Sequence, residues 1–290
     1  MSAESESIAA AFLAACHTEL QSLKPGNVHV YADGHRMTVA DFEVSAAAAG
    51  PFIAAPDLSL GERIEGAMRA TCAAVGQNTN LGIILLCAPL AMAAERTQAH
   101  HGTAVDRLRQ PLADVILRST VADAECAFRA IALANPGGLG MAEHDVRQPA
   151  SITLNEAMRL AADRDLIARQ YRNGLGEVFG IGHAALQAGL MRFGDIRWAA
   201  SIAYLTLLSR FTDTHIWRKH GLEAALAVRD ESAPFAAMLE AAGDPQSCVD
   251  ALMMFDASLK ARSLNPGAIA DLTVATLFAA ELATKLETGA

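Results

Sequence analysis

Four polar segments carry the residue types that chemistry needs. Lys24-Pro25-Gly26-Asn27-Val28-His29 sets a cation, an amide and free backbone groups in a stiff turn. Such a turn can hold a phosphate or a sugar hydroxyl, although a helix stop with Lys24 completing the dipole explains the same residues. Gln77, Asn78, Thr79 and Asn80 stand in a row before the most apolar stretch of the chain. Capping one helix needs one such side chain, so the surplus favours a ligand at a helix N-terminus. Leu264-Asn265-Pro266-Gly267 reads as a helix start capped by Asn265, with Asp271 about one and a half turns further on. An acid there can bind a metal, orient a base or complement the helix end. The densest charged stretch is Thr212–Gly221. Within it Asp213 or Thr214 can cap a helix, and Arg218 offers a fork for phosphate with Lys219 beside it. A solvated helix start accounts for the same charges. The Lys24–Val28, Gly76–Asn80 and Asn265–Asp271 loops are expected to converge on one active site.

The elements that must position these loops are helical. Apolar residues at three- and four-residue spacing mark Ile8–Leu23, which Lys24-Pro25-Gly26 stops. A second helix starts at Thr38 and runs to Gly50-Pro51, and Glu62–Val75 is amphipathic up to Gly76. Asn80 caps the next, apolar helix, and Leu81–Ala94 reads as buried and central because it is shorter than the ~18–20 residues of a membrane span. Ala104–Ser119 and Val121–Ala134 form a pair, and Asn135–Gln148 is the clearest long loop. Helices resume at Thr153–Ala162, Arg164–Gly189, Ile196–Arg210, Thr214–Leu239, Pro245–Lys260 and Pro266–Leu286, with breaks expected at Gly174, Gly180–Gly182 and Gly221. The two NPG tripeptides, Asn135–Gly137 and Asn265–Gly267, both suit helix starts. The expectation is an all-α protein, residues 1–290 forming a single multi-helix domain around a buried apolar helix.

Composition agrees. Hydrophobic residues make up 52% of 290 and aromatics 5%, so the core is built from Ala, Leu, Ile and Met. A net charge of −9 with no Lys/Arg run argues against a nucleic-acid partner. Five scattered cysteines without C-x-x-C spacing, and an acidic, polar start, point to a reducing cytoplasm with no leader and no membrane segment. Apolar Met and Leu faces suit a homodimer. Walker A, dinucleotide-fingerprint, H-E-x-x-H and G-x-S-x-G patterns are absent from the sequence. The adjacent His100 and His101 point apart on a helix and read as surface, and Glu19, Asp163 and Asp165 read as solvated carboxylates.

Taken in order, KPGNV at Lys24–Val28, GQNTNLGIILLCAPLA at Gly76–Ala91, NPGGLG at Asn135–Gly140, DTHIWRKHG at Asp213–Gly221 and LNPGAIADL at Leu264–Leu272 resemble the ATP:dephospho-CoA triphosphoribosyltransferase family. The resemblance runs from about Lys24 to Asp271. It implies an all-helical cytoplasmic enzyme that converts ATP and 3′-dephospho-CoA into 2′-(5″-triphosphoribosyl)-3′-dephospho-CoA and adenine. Breaking the ribose–adenine bond develops oxocarbenium character at the sugar. On this resemblance Lys24, Arg218, Lys219, a Mg²⁺ ion and the helix ends at Asn80 and Asn265 can hold the triphosphate. Asn27, Gln77 and Thr79 join the nucleotide-binding set, and Asn78 and Asn80 can bind ribose or adenine. Asp213 or Asp271 can carry Mg²⁺ or act as the base.

One segment departs from the family pattern. Lyase-associated members carry G-S-H-x-D-M after KPG, whereas Asp33-Gly34-His35-Arg36-Met37 stands here, with Arg36 in place of an acid. That resembles a divergent branch of archaea and one-carbon-metabolising bacteria. The change leaves open metal binding at Asp33, another coenzyme-type acceptor, or another ATP-using step of coenzyme biosynthesis. A non-catalytic helical module that binds a nucleotide or coenzyme is the alternative from another class.

Overall fold

The computed structural model describes residues 2–97, 103–136 and 146–288. Among them every regular element is a helix, with only two isolated bridges, His29–Ala32 and Gly34–Met37. The all-α expectation therefore holds. The described residues gather into two compact units, one built on Met1–Cys16, Asp41–Leu175 and Phe278–Ala290, the other on His17–Ala40 and Gly176–Leu277. His100, His101 and Gly137–Gly140 lie outside the described residues.

To the first unit belong much of α1 (Ala3–Gln21) and α2 (Val39–Ile53), with α3 (Leu60–Val75), α4 (Leu81–Glu95), α5 (Ala104–Leu117), α6 (Val121–Ala134), α7 (Leu154–Ala161) and α8 (Leu166–Asn173). Ser59 starts α3 two residues earlier than apolar spacing indicates, because its hydroxyl and the Glu62 carboxylate close a capping box. All but two residues of α4 are buried, Gly82 and Glu95 being the exceptions, as befits a helix that is apolar all round. Tyr171 of α8 donates to the Leu85 carbonyl at 2.6 Å. The buried Arg63 of α3 forks onto Glu95 at 2.8 and 2.7 Å and also donates to the Ile53 carbonyl. Asn135 corrects one expectation. It ends α6 in the left-handed conformation at φ 42° rather than starting a helix.

The second unit holds α9 (His183–Phe193), α10 (Ile196–Arg210), α11 (Thr214–His220), α12 (Leu222–Ala241), α13 (Val249–Ala261) and the start of α14 (Gly267–Thr288). The long helix expected over Arg164–Gly189 is divided. Gly174 ends α8 at φ 65°, and a π turn at Val178–Gly182 leads into α9. Gly221, at φ 90°, separates α11 from α12. α10 is the central element and packs against α9 and α12. Gly267–Glu287 is long and apolar enough to cross a membrane, but 72% of that window is buried inside the protein.

Candidate active site

In the second unit the Lys24–Val28 turn meets the Asn265 loop. Asn27 Nδ2 donates to Asn265 Oδ1 at 2.8 Å. Gly26 sits at φ 84°, and a Cβ there would lie 2.8 Å from Leu259 Cδ1 and 2.9 Å from Pro266 Cδ. Only glycine allows the turn to approach so closely. Its N–H donates to Asp256 Oδ1 at 2.8 Å, and Tyr204 clamps the turn by donating to the Pro25 carbonyl at 2.8 Å.

Lys24, expected at a phosphate, turns inward instead. Its side chain is 0% exposed, and its three N–H groups go to Glu19, to Asn27 Oδ1 at 3.3 Å and to the Val28 carbonyl at 2.9 Å. Burial pushes the Lys24 ammonium down and the Glu19 carboxyl up, each partly countered by the other. Glu19 is correspondingly buried rather than solvated.

Asp213 is the hub of the site. It caps α11 by accepting from the Ile216 N–H at 2.9 Å, and its other oxygen accepts from the Ile269 N–H of α14, also at 2.9 Å. One carboxylate thus closes two helix starts. Asn265, expected to cap α14, spends its carbonyl oxygen on Asn27 instead. Two helix N-termini favour the charged form of Asp213, yet burial outweighs them and pushes its pKa up to about 6. His215, on the next residue but one, lies against Gly267, where a Cβ would be 3.1 Å from its Nδ1. Burial first, then Lys219 and Arg218, pushes the His215 ring down to about 3. Arg218 is half-buried and Lys219 exposed in the last turn of α11. Asp271 is half-buried on α14, and its charge reaches Lys24.

Below these loops lies a second polar layer. Asp256 receives Gly26 N–H and pairs with Lys260 at 3.0 Å, while Lys260 also donates to the Ala32 carbonyl. His29 Nε2 lies 3.2 Å from Asp256 without the alignment of a hydrogen bond, and burial keeps its ring below the ordinary histidine range. Burial alone would raise the Asp256 carboxyl, but His29, Lys260 and Gly26 hold it down. His35 Nε2 donates to the Gly26 carbonyl, 2.8 Å away, and both His35 and Arg36 hold positive φ, 56° and 63°. Asp33 is engaged at the start of α2, accepting from Val39 N–H at 3.3 Å.

Gln77, Asn78, Thr79 and Asn80 belong to the first unit. There Asn78 Oδ1 accepts from Leu81 N–H at 3.1 Å, so Asn78 does the capping assigned to Asn80. Thr79 donates to Ser45 Oγ at 2.6 Å, and Gln77 is half-buried.

Sequence reasoning read Glu19 as solvated, gave His29 no role within its segment, and passed over Asp256, Lys260 and Tyr204. Two signals were available. Asp256 and Lys260 are spaced i,i+4 on α13, and Glu19 precedes Lys24 by five residues at a helix end.

The chain matches the ATP:dephospho-CoA triphosphoribosyl transferase family over residues 5–289. It belongs to that family. Among solved structures it is similar to a candidate triphosphoribosyl-dephospho-CoA synthase from Archaeoglobus fulgidus, with 26% identity and a TM-score of 0.60 over 81% of this chain and 96% of that one. No curated protein matches it. As a triphosphoribosyl transferase the chain is an enzyme of coenzyme biosynthesis.

Proposed function

We propose that the loops of the second unit carry out triphosphoribosyl transfer from ATP to the 2′-hydroxyl of 3′-dephospho-CoA. The observation that carries this reading is the Asp213 carboxylate, which ties the D-T-H and N-P-G segments into one rigid corner. In the transfer the bond from the ribose anomeric carbon to adenine N9 breaks, and a bond to the acceptor oxygen forms. The proton lost by the hydroxyl balances the one adenine gains. Since the transition state is oxocarbenium-like, the protein's main work is electrostatic and positional.

Asp213 is a positioning residue in this scheme, because both of its oxygens are held by backbone N–H groups. His215 keeps a neutral ring whose Nε2 has no hydrogen-bond partner among the described residues, and it orients the acceptor by taking a hydrogen bond from its hydroxyl. Arg218 and Lys219 face the triphosphate. No cluster of three His, Cys, Asp or Glu side chains forms among the described residues. Mg²⁺ fits all the same, since it is commonly held by one or two carboxylates together with substrate phosphates. Asp271 would hold it here, and the ion would offset triphosphate charge. No disulfide joins any of the five cysteines among the described residues, which suits a reducing cytoplasm.

The test is product analysis with ATP, Mg²⁺ and 3′-dephospho-CoA. Adenine together with a triphosphoribosyl adduct is expected by mass spectrometry, and ADP or AMP would overturn the reading. Asp271→Asn should lower turnover about a hundredfold or more while its helical circular dichroism stays that of the unaltered protein. Full turnover would remove Asp271 from the site.

A further inference from the structure

Asn80 is the residue of the first unit that the fold leaves unexplained. It stands at the N-terminus of α4, 3% exposed, and neither its Oδ1 nor its Nδ2 has a hydrogen-bond partner among the described residues. The capping that would account for an amide here is done by Asn78, and Asn80 makes no cap bond of its own. A buried carboxamide without partners lowers stability, whereas a leucine of similar volume would not. The loop that bears it is pinned in place: Thr79 donates to Ser45 Oγ at 2.6 Å, and Ser45 in turn donates to the Asp41 carbonyl at 2.6 Å. A fixed, buried amide at a helix start is prepared for a ligand.

The amide also limits what that ligand can be. It sets one donor and one acceptor side by side, and satisfying both at once takes an acceptor and a donor on a single edge. Phosphate oxygens only accept. A trans secondary amide, such as those of a pantetheine arm, points its N–H and carbonyl in opposite directions. A ribose diol can also meet both groups, but its hydroxyls rotate and leave the pairing unfixed. The 6-amino edge of adenine sets donor and acceptor rigidly in one plane, matching the planar carboxamide, and asparagine pairs with it through two bonds. We propose that Asn80 binds the amino edge of an adenine ring. This rests on the triphosphoribosyl-transfer reading for its two sources of adenine, ATP and 3′-dephospho-CoA.

The experiment is calorimetric titration of the unaltered protein and of Asn80→Leu with ATP and, separately, with 3′-dephospho-CoA. Affinity for the nucleotide whose ring is read should fall about ten- to hundredfold. A fall for both would mean that the two rings share the site. Without nucleotide the variant should melt about 2–4 °C higher, because an unpaired buried amide has been removed. A purely structural Asn80 would give a lower melting temperature and unchanged affinities. Where Asn80→Leu does not fold, analogues of both nucleotides lacking the 6-amino group serve with the unaltered protein, and one should bind about tenfold more weakly. Unchanged affinity for both nucleotides in the variant, or for both analogues, overturns the proposal and assigns the amide to buried water. Adenine release is read on the unaltered protein in parallel. Its absence would overturn the transfer reading while leaving the Asn80 result standing.

Discussion

Replacing Asp213 by alanine removes the acceptor shared by Ile216 N–H and Ile269 N–H, each at 2.9 Å. Two buried N–H groups then lack partners, at a cost of about 1–3 kcal/mol each. The opposing effect is the expense of a buried charge. Asp213 has its carboxyl pushed from an ordinary 3.8 to about 6 in the folded protein. A raised carboxyl contributes stability that is complete below its unfolded value and is lost as pH rises through its folded value. Between about pH 5 and pH 7.5 that contribution falls by about 1.4 kcal/mol. The advantage of the unaltered protein over Asp213→Ala should therefore be larger at pH 5 by this amount, roughly 3–6 °C in melting temperature. Thermal melts of the two proteins in matched buffers measure it, and every other titrating group cancels in the difference. An advantage that shrinks on acidification would refute the reasoning. It would mean that the two helix starts, rather than burial, govern the carboxyl.

Three further outcomes concern the same unit. Lys24→Met should destabilise by about 3–5 kcal/mol, because Glu19 stays buried without its partner; Lys24→Met/Glu19→Leu should recover most of this in denaturant titrations, and equal losses would disprove the pairing. Gly26→Ala should cost at least about 1–3 kcal/mol from strain at positive φ and from contact with Leu259 and Pro266, so an unchanged denaturation midpoint would count against the close approach. His215, pushed down to about 3, should show flat imidazole NMR shifts between about pH 5 and 8 in the nucleotide-free protein. A midpoint near 6.5 would contradict its burial.

The helices were legible wherever apolar spacing and local caps agree. Ile196–Arg210 and Val121–Ala134 fall within the bounds that the spacing gives. Local cues also marked Asp213 as a cap, since its Ile216 bond spans three residues. Its bond to Ile269 spans 56 residues, and no window of sequence contains that. The same limit hid the direction of Lys24. A lysine after a helix reads as solvent-facing, and only the tertiary placement of Glu19, Asn27 and the Val28 carbonyl turns it inward. For Asn78 and Asn80 the residue types were informative, but which amide caps and which is left over depends on backbone angles. Asn80 sits at φ −145° and ψ 20°, away from the usual cap conformation.

The π turn at Val178–Gly182 has a consequence for aligning this chain with its relatives. A π turn holds one residue more than an α-helical path of the same span. It rotates the succeeding helix by about 100° relative to an uninterrupted one. Here that phase brings Leu186 and Gly189 to the face of α9 that meets α10, where a Cβ on residue 189 would lie 2.7 Å from Ala199 Cα. A relative with a plain α-helix at this point should carry a one-residue gap near Gly180, whose own Cβ position is open. If it instead aligns without a gap, its small residue opposite α10 should stand one place away from position 189.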